Sequence, residues 1–239
     1  SEELLSKSTR QAIRTARNKG IQVQFGGKEL LDDFSALMKK TENRKSIHLR
    51  GKDYYQKLLD TYPEHSYITL ASINLNERLE SLQAQKAKAE KEASKFTEKT
   101  KPGKIENNKQ EQKRLQEEID FLAEKIAQGA TTVPLSGTLV LEYGATSENI
   151  YAGMDEEYRR YQPALLTWYE TAKHAFDRGA NWQNMGGVEN DLDGGLYHFK
   201  SKFNPTIEEF VGEFNLPTNP LYHLSNLAYT LRKKFRSKH

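Results

Sequence analysis

Residues 67–82, Tyr67-Ile68-Thr69-Leu70-Ala71-Ser72-Ile73-Asn74-Leu75-Asn76-Glu77-Arg78-Leu79-Glu80-Ser81-Leu82, change period midway. Up to Ile73 the run reads as a buried strand, and from Leu75 leucines recur four and three apart, as on one helix face. That spacing continues through Lys86, Ala89, Ala93 and Phe96, then resumes at Ile105, Asn108, Gln112, Leu115, Ile119, Leu122 and Ile126. Between the two series lies Lys101-Pro102-Gly103-Lys104, where Pro cannot continue a helix and Gly reaches positive φ. Residues 75–128 are therefore predicted to form an antiparallel coiled-coil hairpin. Each limb of ~20 residues would reach ~30 Å at 1.5 Å per residue. A self-contained seam would make this arm separable from the body, with its weak points at Lys86, Asn108 and Gln112.

Working outward, the flanks read as compact α/β. A helix capped by Ser8 or Thr9 runs to Lys19 and stops at Gly20, and Ile21–Phe25 is strand-like. Helices follow at about 28–41, with Leu30, Leu31, Phe34, Leu37 and Met38 on one face, and at 52–61. Beyond the arm, strands are predicted at 137–143 and 149–152. An amphipathic helix at 163–178 follows, carrying Leu165, Leu166, Trp168, Tyr169, Ala172 and Phe176, and then a short strand at 182–185. A glycine-rich loop at 186–195 opens into Leu196-Tyr197-His198-Phe199-Lys200. A strand near 210–214 and a helix at 221–235 close the chain. This order suits an α/β (α+β) domain of the GNAT acyltransferase type. Residues 1–74 and 129–239 would be its two parts, with the arm inserted between neighbouring antiparallel strands.

The chain has 239 residues, no cysteine and a net charge of +3. Absence of cysteine excludes a disulfide framework and thiolate metal sites and fits a reducing compartment. No apolar run reaches the ~18 residues of a membrane span, so the protein is predicted to be cytoplasmic. Charge is nearly balanced on the arm and positive at the ends. Lys7, Arg10, Arg14 and Arg17 recur at helical spacing, and Arg232, Lys233, Lys234, Arg236 and Lys238 have no acid among them. Either end suits a polyanion or an anionic lipid surface, or is a solubilising helix face. His48, His174, His198 and His223 lack metal-ligand spacing, and the glycines at 186, 187, 194 and 195 are not followed by a P-loop Lys-Ser/Thr.

Three runs carry a more specific signal: Asn184-Met185-Gly186-Gly187-Val188, Gly194-Gly195-Leu196-Tyr197-His198-Phe199-Lys200-Ser201-Lys202-Phe203, and Val211-Gly212-Glu213-Phe214. Together they closely resemble the C-terminal signature of the FemABX family, aminoacyl-tRNA-dependent, non-ribosomal peptidyltransferases that build the peptidoglycan cross-bridge. Ile150-Tyr151-Ala152-Gly153 before Tyr158-Arg159-Arg160-Tyr161-Gln162-Pro163 resembles the family's strand-to-helix passage. His48-Leu49-Arg50 before Asp53-Tyr54-Tyr55 resembles its Arg segment. The arm is similar to that of seryl-tRNA synthetases, which many members carry. Family members have two acyltransferase-like halves. This chain starts with Ser1 where the first half would end, so a C-terminal fragment is expected, and activity of the chain alone is left open.

The resemblance implies an aminoacyltransferase in which a stem-peptide amine attacks the ester carbonyl of aminoacyl-tRNA. Negative charge develops on that oxygen, and a fixed cation stabilises it. The Phe199-Lys200 pair is placed by resemblance at the reaction centre; on spacing alone Lys200 is one of two lysines in a surface turn. Arg50 would grip the precursor pyrophosphate in a bidentate fork, against the plain alternative of pairing with Asp53 or Glu64. Tyr151 would touch substrate, or merely pack the sheet. Glu213 or Asp191 could accept the amine proton. No cofactor is implied beyond aminoacyl-tRNA as co-substrate, and the acceptor would be a lipid-linked or UDP-linked muramyl-pentapeptide. A peripheral contact with the inner membrane face through the tail, and a homologous partner enzyme, complete the implied partners. Two other classes stay open. One is an acyl-coenzyme A-dependent N-acyltransferase, disfavoured because the turn Met154-Asp155-Glu156-Glu157 would repel pyrophosphate. The other is a non-catalytic tRNA-binding scaffold, disfavoured by the balanced charge of the arm.

Overall fold

A computed structural model describes residues 2–46, 48–212, 214–219 and 221–236. The chain divides into two compact units, 1–204 and 205–239. The first is a mixed α/β unit built on a five-stranded sheet whose strands lie side by side in chain order. β1 (Gln22–Gly26), β2 (Ser66–Asn74), β3 (Thr132–Tyr143) and β4 (Thr146–Met154) pair antiparallel. β5 (Trp182–Asn184) joins β4 in parallel over Thr146–Glu148.

β2 carries apolar residues on both of its faces. Ile68 and Leu70 face one core, Ala71 and Ile73 face the other, so neither side of the strand meets water. On the first side α2 (Leu31–Lys45) and α3 (Lys52–Thr61) cover the sheet with Phe34, Leu37, Met38, Tyr55 and Leu59. α2 sits close because Gly137 and Gly153 face each other across β3 and β4. A Cβ on Gly153 would come within 3.2 Å of the Leu37 backbone, and one on Gly137 within 3.0 Å of the Phe34 ring.

On the other side lie α1 (Lys7–Asn18) and α6 (Pro163–Asp177). α1 is capped by Ser6, whose Oγ accepts from the Thr9 N–H at 3.2 Å, two to three residues before the expected cap. α6 differs from its predicted face. Leu165 and Leu166 are buried as expected, but Phe176 is exposed, and the helix meets β3 through Thr167 and Thr171. Thr171 Oγ1 lies 2.9 Å from Thr138 Oγ1, and Thr167 bonds to Ser136. Periodicity of apolar residues misses a contact made by paired hydroxyls.

Between β2 and β3 the chain leaves the sheet as two packed helices, α4 (Leu75–Ala93) and α5 (Pro102–Ala127). Asn74 caps α4 by accepting from the Asn76 and Glu77 N–H groups, and the Leu75 N–H donates to Thr131 O at 2.8 Å, closing the base. The turn falls earlier than predicted. Pro102 opens α5 at its first helical position, where a missing N–H costs nothing, so the reversal occupies residues 94–101 and Phe96 lies off the helix.

The seam is also not self-contained. Leu75, Leu82, Leu115 and Leu122 belong to the same core as Ile13, Leu135, Tyr158, Tyr161 and Leu165. Arg78 and Glu118, outside the predicted seam, are buried with it at 5% and 2% side-chain exposure. Both Arg78 Nε and Nη2 donate to Glu118 Oε1, at 3.0 and 2.7 Å. Nearer the tip, Asn108 Nδ2 donates to Ala89 O and Gln112 Nε2 to Asn108 Oδ1, so these polar seam positions are satisfied.

After β5 a loop leads to α7 (Gly195–Lys200) and a 3₁₀ turn at Ser201–Phe203. The second unit contains α8 (Leu221–Arg236). The strand expected near 210–214 is not formed among the described residues there. Gly212 has φ +87°, which breaks the extended run, and Phe210, Val211 and Phe214 are exposed. No helix among the described residues is long and apolar enough to cross a membrane.

Candidate functional site

Arg50 and Tyr151 are brought together. Arg50 sits just before α3, whose first turn presents Tyr54 and Tyr55, while Tyr151 stands on β4 opposite Leu139. The Arg50 guanidinium carbon lies 5.1 Å from the Tyr54 ring centre. Tyr54 and Tyr55 meet Tyr151 edge-on at 6.2 and 5.0 Å, and buried Tyr55 rests against Phe34 at 5.4 Å. Neither Asp53 nor Glu64 holds Arg50, and the Glu64 carbonyl is taken by Arg178. Burial, then the neighbouring Tyr54, push the Tyr151 hydroxyl pKa upward, with Arg50 pulling the other way. Burial pushes Tyr55 to about 12. Among the described residues the result is a guanidinium paired with no carboxylate above an aromatic floor. Its planar fork suits a multiply charged oxyanion such as a phosphate, two of whose oxygens it can meet at once. Tyr54 is the member that motif reading passed over; its signal is the doubled tyrosine one turn after Arg50.

Lys200 ends α7 and is buried. Its Nζ donates to Gly187 O at 2.7 Å and lies 5.8 Å from the Trp168 ring centre. Burial pushes its pKa down; Glu189 opposes this and Lys45, on the last turn of α2, adds to it. A buried ammonium held by a carbonyl instead of a carboxylate keeps its charge uncompensated, which is what an oxyanion-stabilising group requires.

The glycines of this loop act through backbone shape. Gly186 has φ +76°. Glu189 folds back over Gly194, where a Cβ would lie 2.1 Å from its carboxyl carbon, and accepts from the Leu196 and Tyr197 N–H groups at 3.2 and 3.1 Å. These N–H groups are unpaired donors of the first turn of α7, so Glu189 fixes the start of the helix that ends in Lys200.

Phe199 packs edge-on to Trp168 at 5.2 Å and to Phe203 at 5.7 Å, tying the helix to α6. Lys200 makes no direct contact with Arg50 or Tyr151 among the described residues. Lys45, five residues before Arg50 in the sequence, is near enough to repel it. Glu213 lies outside the described residues, and Asp191 is exposed in the loop. The acidic turn after β4 is spent on structure: Asp155 caps the 3₁₀ turn at 156–161 and pairs with Lys40, Glu156 with Arg44, Glu157 with Lys125. Of the basic tail, Arg232 lies on α8, and Lys238 is outside the described residues.

A five-stranded sheet with a helical hairpin between β2 and β3, and a glycine loop that presents a buried lysine, define a mixed α/β protein. A family model described as the FemAB family matches residues 1–230, and the chain belongs to that family. It is 29% identical over 233 residues to the lipid II:glycine glycyltransferase of Staphylococcus epidermidis, covering 91% of this chain and 55% of the relative. To the enzyme of the same name from Staphylococcus aureus it is 28% identical over 248 residues, covering 93% and 58%. The chain thus spans little more than half the length of these relatives. A crystal structure of FemX superposes with a TM-score of 0.66 at 24% identity, covering 93% of this chain and 60% of that one.

Proposed function

We propose that this chain carries the Lys200 centre of an aminoacyltransferase that moves an amino acid from aminoacyl-tRNA to the stem-peptide amine of a lipid-linked peptidoglycan precursor. The observation that carries this reading is family membership over residues 1–230, alongside relatives named for glycyl transfer to lipid II. The geometry is compatible with it. Lys200 would stabilise the oxyanion formed when the amine attacks the ester carbonyl, and Arg50 over Tyr54 would hold precursor phosphate. Phe199 positions Lys200 by anchoring α7. Sheet order and the inserted hairpin support a GNAT-like fold with a coiled-coil arm, working at the cytoplasmic face of the membrane, with the basic tail as a peripheral contact.

The donor decides the reading. The chain, alone and within any longer protein that carries it, is supplied with precursor and either charged tRNA or acyl-coenzyme A, and donor consumption is followed. Deacylation of tRNA coupled to acceptor modification is expected. Consumption of acyl-coenzyme A alone would replace this reading with an ordinary N-acyltransferase.

A further inference from the structure

Among the described residues, one strip of positive charge on the first unit pairs with no carboxylate. α1 contains no acid. Its outward stripe is Lys7, Gln11, Arg14 and Asn18, all exposed, with Arg10 on the flank. Several other arginines are committed: Arg17 to Glu2 and Glu170, Arg44 to Glu156, Arg78 and Arg114 to Glu118, Arg178 to Glu142. Among the described residues Lys7, Arg10 and Arg14 have no such partner.

Both ends of the strip meet features of interest. At the start of α1, Thr9 Oγ1 donates to Lys202 O at 3.0 Å, two residues beyond Lys200. At its end, Lys19 donates to Arg160 O at 3.2 Å and lies 4.4 Å from the Tyr161 ring centre, beside the arm root. Arg160 stacks on Phe121 at 4.7 Å and, among the described residues, holds no carboxylate. The strip therefore joins the lysine loop to the arm root over the ~18 Å length of a 12-residue helix.

We propose that α1 is a track for a phosphodiester backbone, an RNA strand lying along Lys7, Arg10 and Arg14 with one end at the Lys200 loop and the other leading past Lys19 and Arg160. This rests on the reading of the donor as a charged RNA. A bilayer is the poorer fit: an interfacial helix exposes an apolar face, whereas the apolar face of α1, Ile13 and Ala16, is buried in the core. Burial and the arginines at positions 78, 114 and 160 push the Lys19 pKa down to about 8, with Glu118 opposing, and an adjacent phosphate would relieve that repulsion.

The test is the salt dependence of binding to a short fluorescein-labelled single-stranded RNA, followed by anisotropy on the whole chain. Each lost phosphate contact lowers the slope of log K against log salt by ~0.7. K7Q/R10Q/R14Q should therefore flatten the slope by about two, at that increment per contact. The same charge change at Lys57, Lys88 and Lys109 should leave it unaltered. If the triple variant melts lower, K7Q/R14Q, at two exposed positions, should still flatten it by ~1.4. The track is overturned by absence of RNA binding at low salt, or by equal losses in track and control variants. It is also overturned if these substitutions abolish binding to anionic phosphatidylglycerol vesicles while leaving RNA binding intact. Acyl-coenzyme A consumption in the donor assay bears on the donor reading alone, whereas the slopes decide the track.

Discussion

Lys200 and Arg50 are both cations without a carboxylate, yet they should fail differently. Lys200→Met keeps the stem against Trp168 and removes the charge, so turnover should fall by ~10²–10³ if Lys200 stabilises the oxyanion. Arg50→Lys keeps charge but loses the fork and its stacking on Tyr54, so precursor KM should rise with kcat partly retained. Steady-state kinetics at saturating donor separates the two, provided both variants melt like the parent. Near-normal turnover in folded Lys200→Met would remove Lys200 from the reaction.

Glu118 is the residue-scale test of stability. Its burial raises the carboxyl pKa, but the Arg78 hydrogen bonds, the nearby Tyr161 hydroxyl and the charges of Arg78 and Lys19 outweigh this, leaving it below the usual carboxylate range. A carboxyl depressed in the folded state contributes stability above its unfolded pKa, and that contribution is lost as pH falls through the folded value. Glu118→Gln should therefore weaken the acid limb of the stability–pH profile. It should also cost ~3–5 kcal/mol near neutrality, because Arg78 is left buried and unpaired. Replacing both as Arg78→Met/Glu118→Leu should recover most of that loss, measured by urea unfolding.

Among the elements, the arm departs most from what its heptads imply. Its outer part matches a free-standing hairpin, but Leu75, Leu82, Leu115 and Leu122 fill the same core as α1 and α6. Excising residues 86–111 and rejoining the helices with a short turn should leave the melting temperature close to that of the parent. Excising 76–128 should expose Tyr158, Tyr161 and Leu135 and produce a molten or insoluble body. Near-UV circular dichroism distinguishes the outcomes, and a well-packed body after full excision would contradict the shared core. α7 gives a second lesson at this scale. Its helix depends on Glu189 reaching back over Gly194, and no periodicity in six residues announces such a cap.

At the scale of the molecule, the sequence made most elements of the sheet and its covering helices legible, because β2 is buried on both faces and α2 has a regular apolar stripe. Its motifs singled out Arg50 and Tyr151 one at a time; that the two meet is visible only in the fold. What stayed hidden was made by polar groups acting in pairs: Thr167 and Thr171 against β3, Arg78 with Glu118, Glu189 with the start of α7. Hydrophobic patterns are blind to such contacts, since each partner looks solvent-facing when read alone. The expected strand at 210–214 failed for the opposite reason, an apolar run interrupted by a glycine at positive φ.

Asn74 and Thr132 face each other across β2 and β3 although all of residues 75–131 lie between them. For a random loop of that length, bringing the ends together is a slow entropic search, and its cost grows with the logarithm of loop length. Here the intervening segment is itself a hairpin that closes locally. Zipping of α4 against α5 would deliver the two strand ends side by side before any sheet exists. The rate-limiting structure in folding should then contain the arm root. Leu82→Ala and Leu115→Ala should slow refolding nearly in proportion to the stability they remove, whereas Thr146→Ala, at the β4–β5 junction, should act chiefly on unfolding. Stopped-flow refolding of the three variants would measure this, and the arm would emerge as the clasp that lets a sheet cut in two by its own insertion assemble quickly.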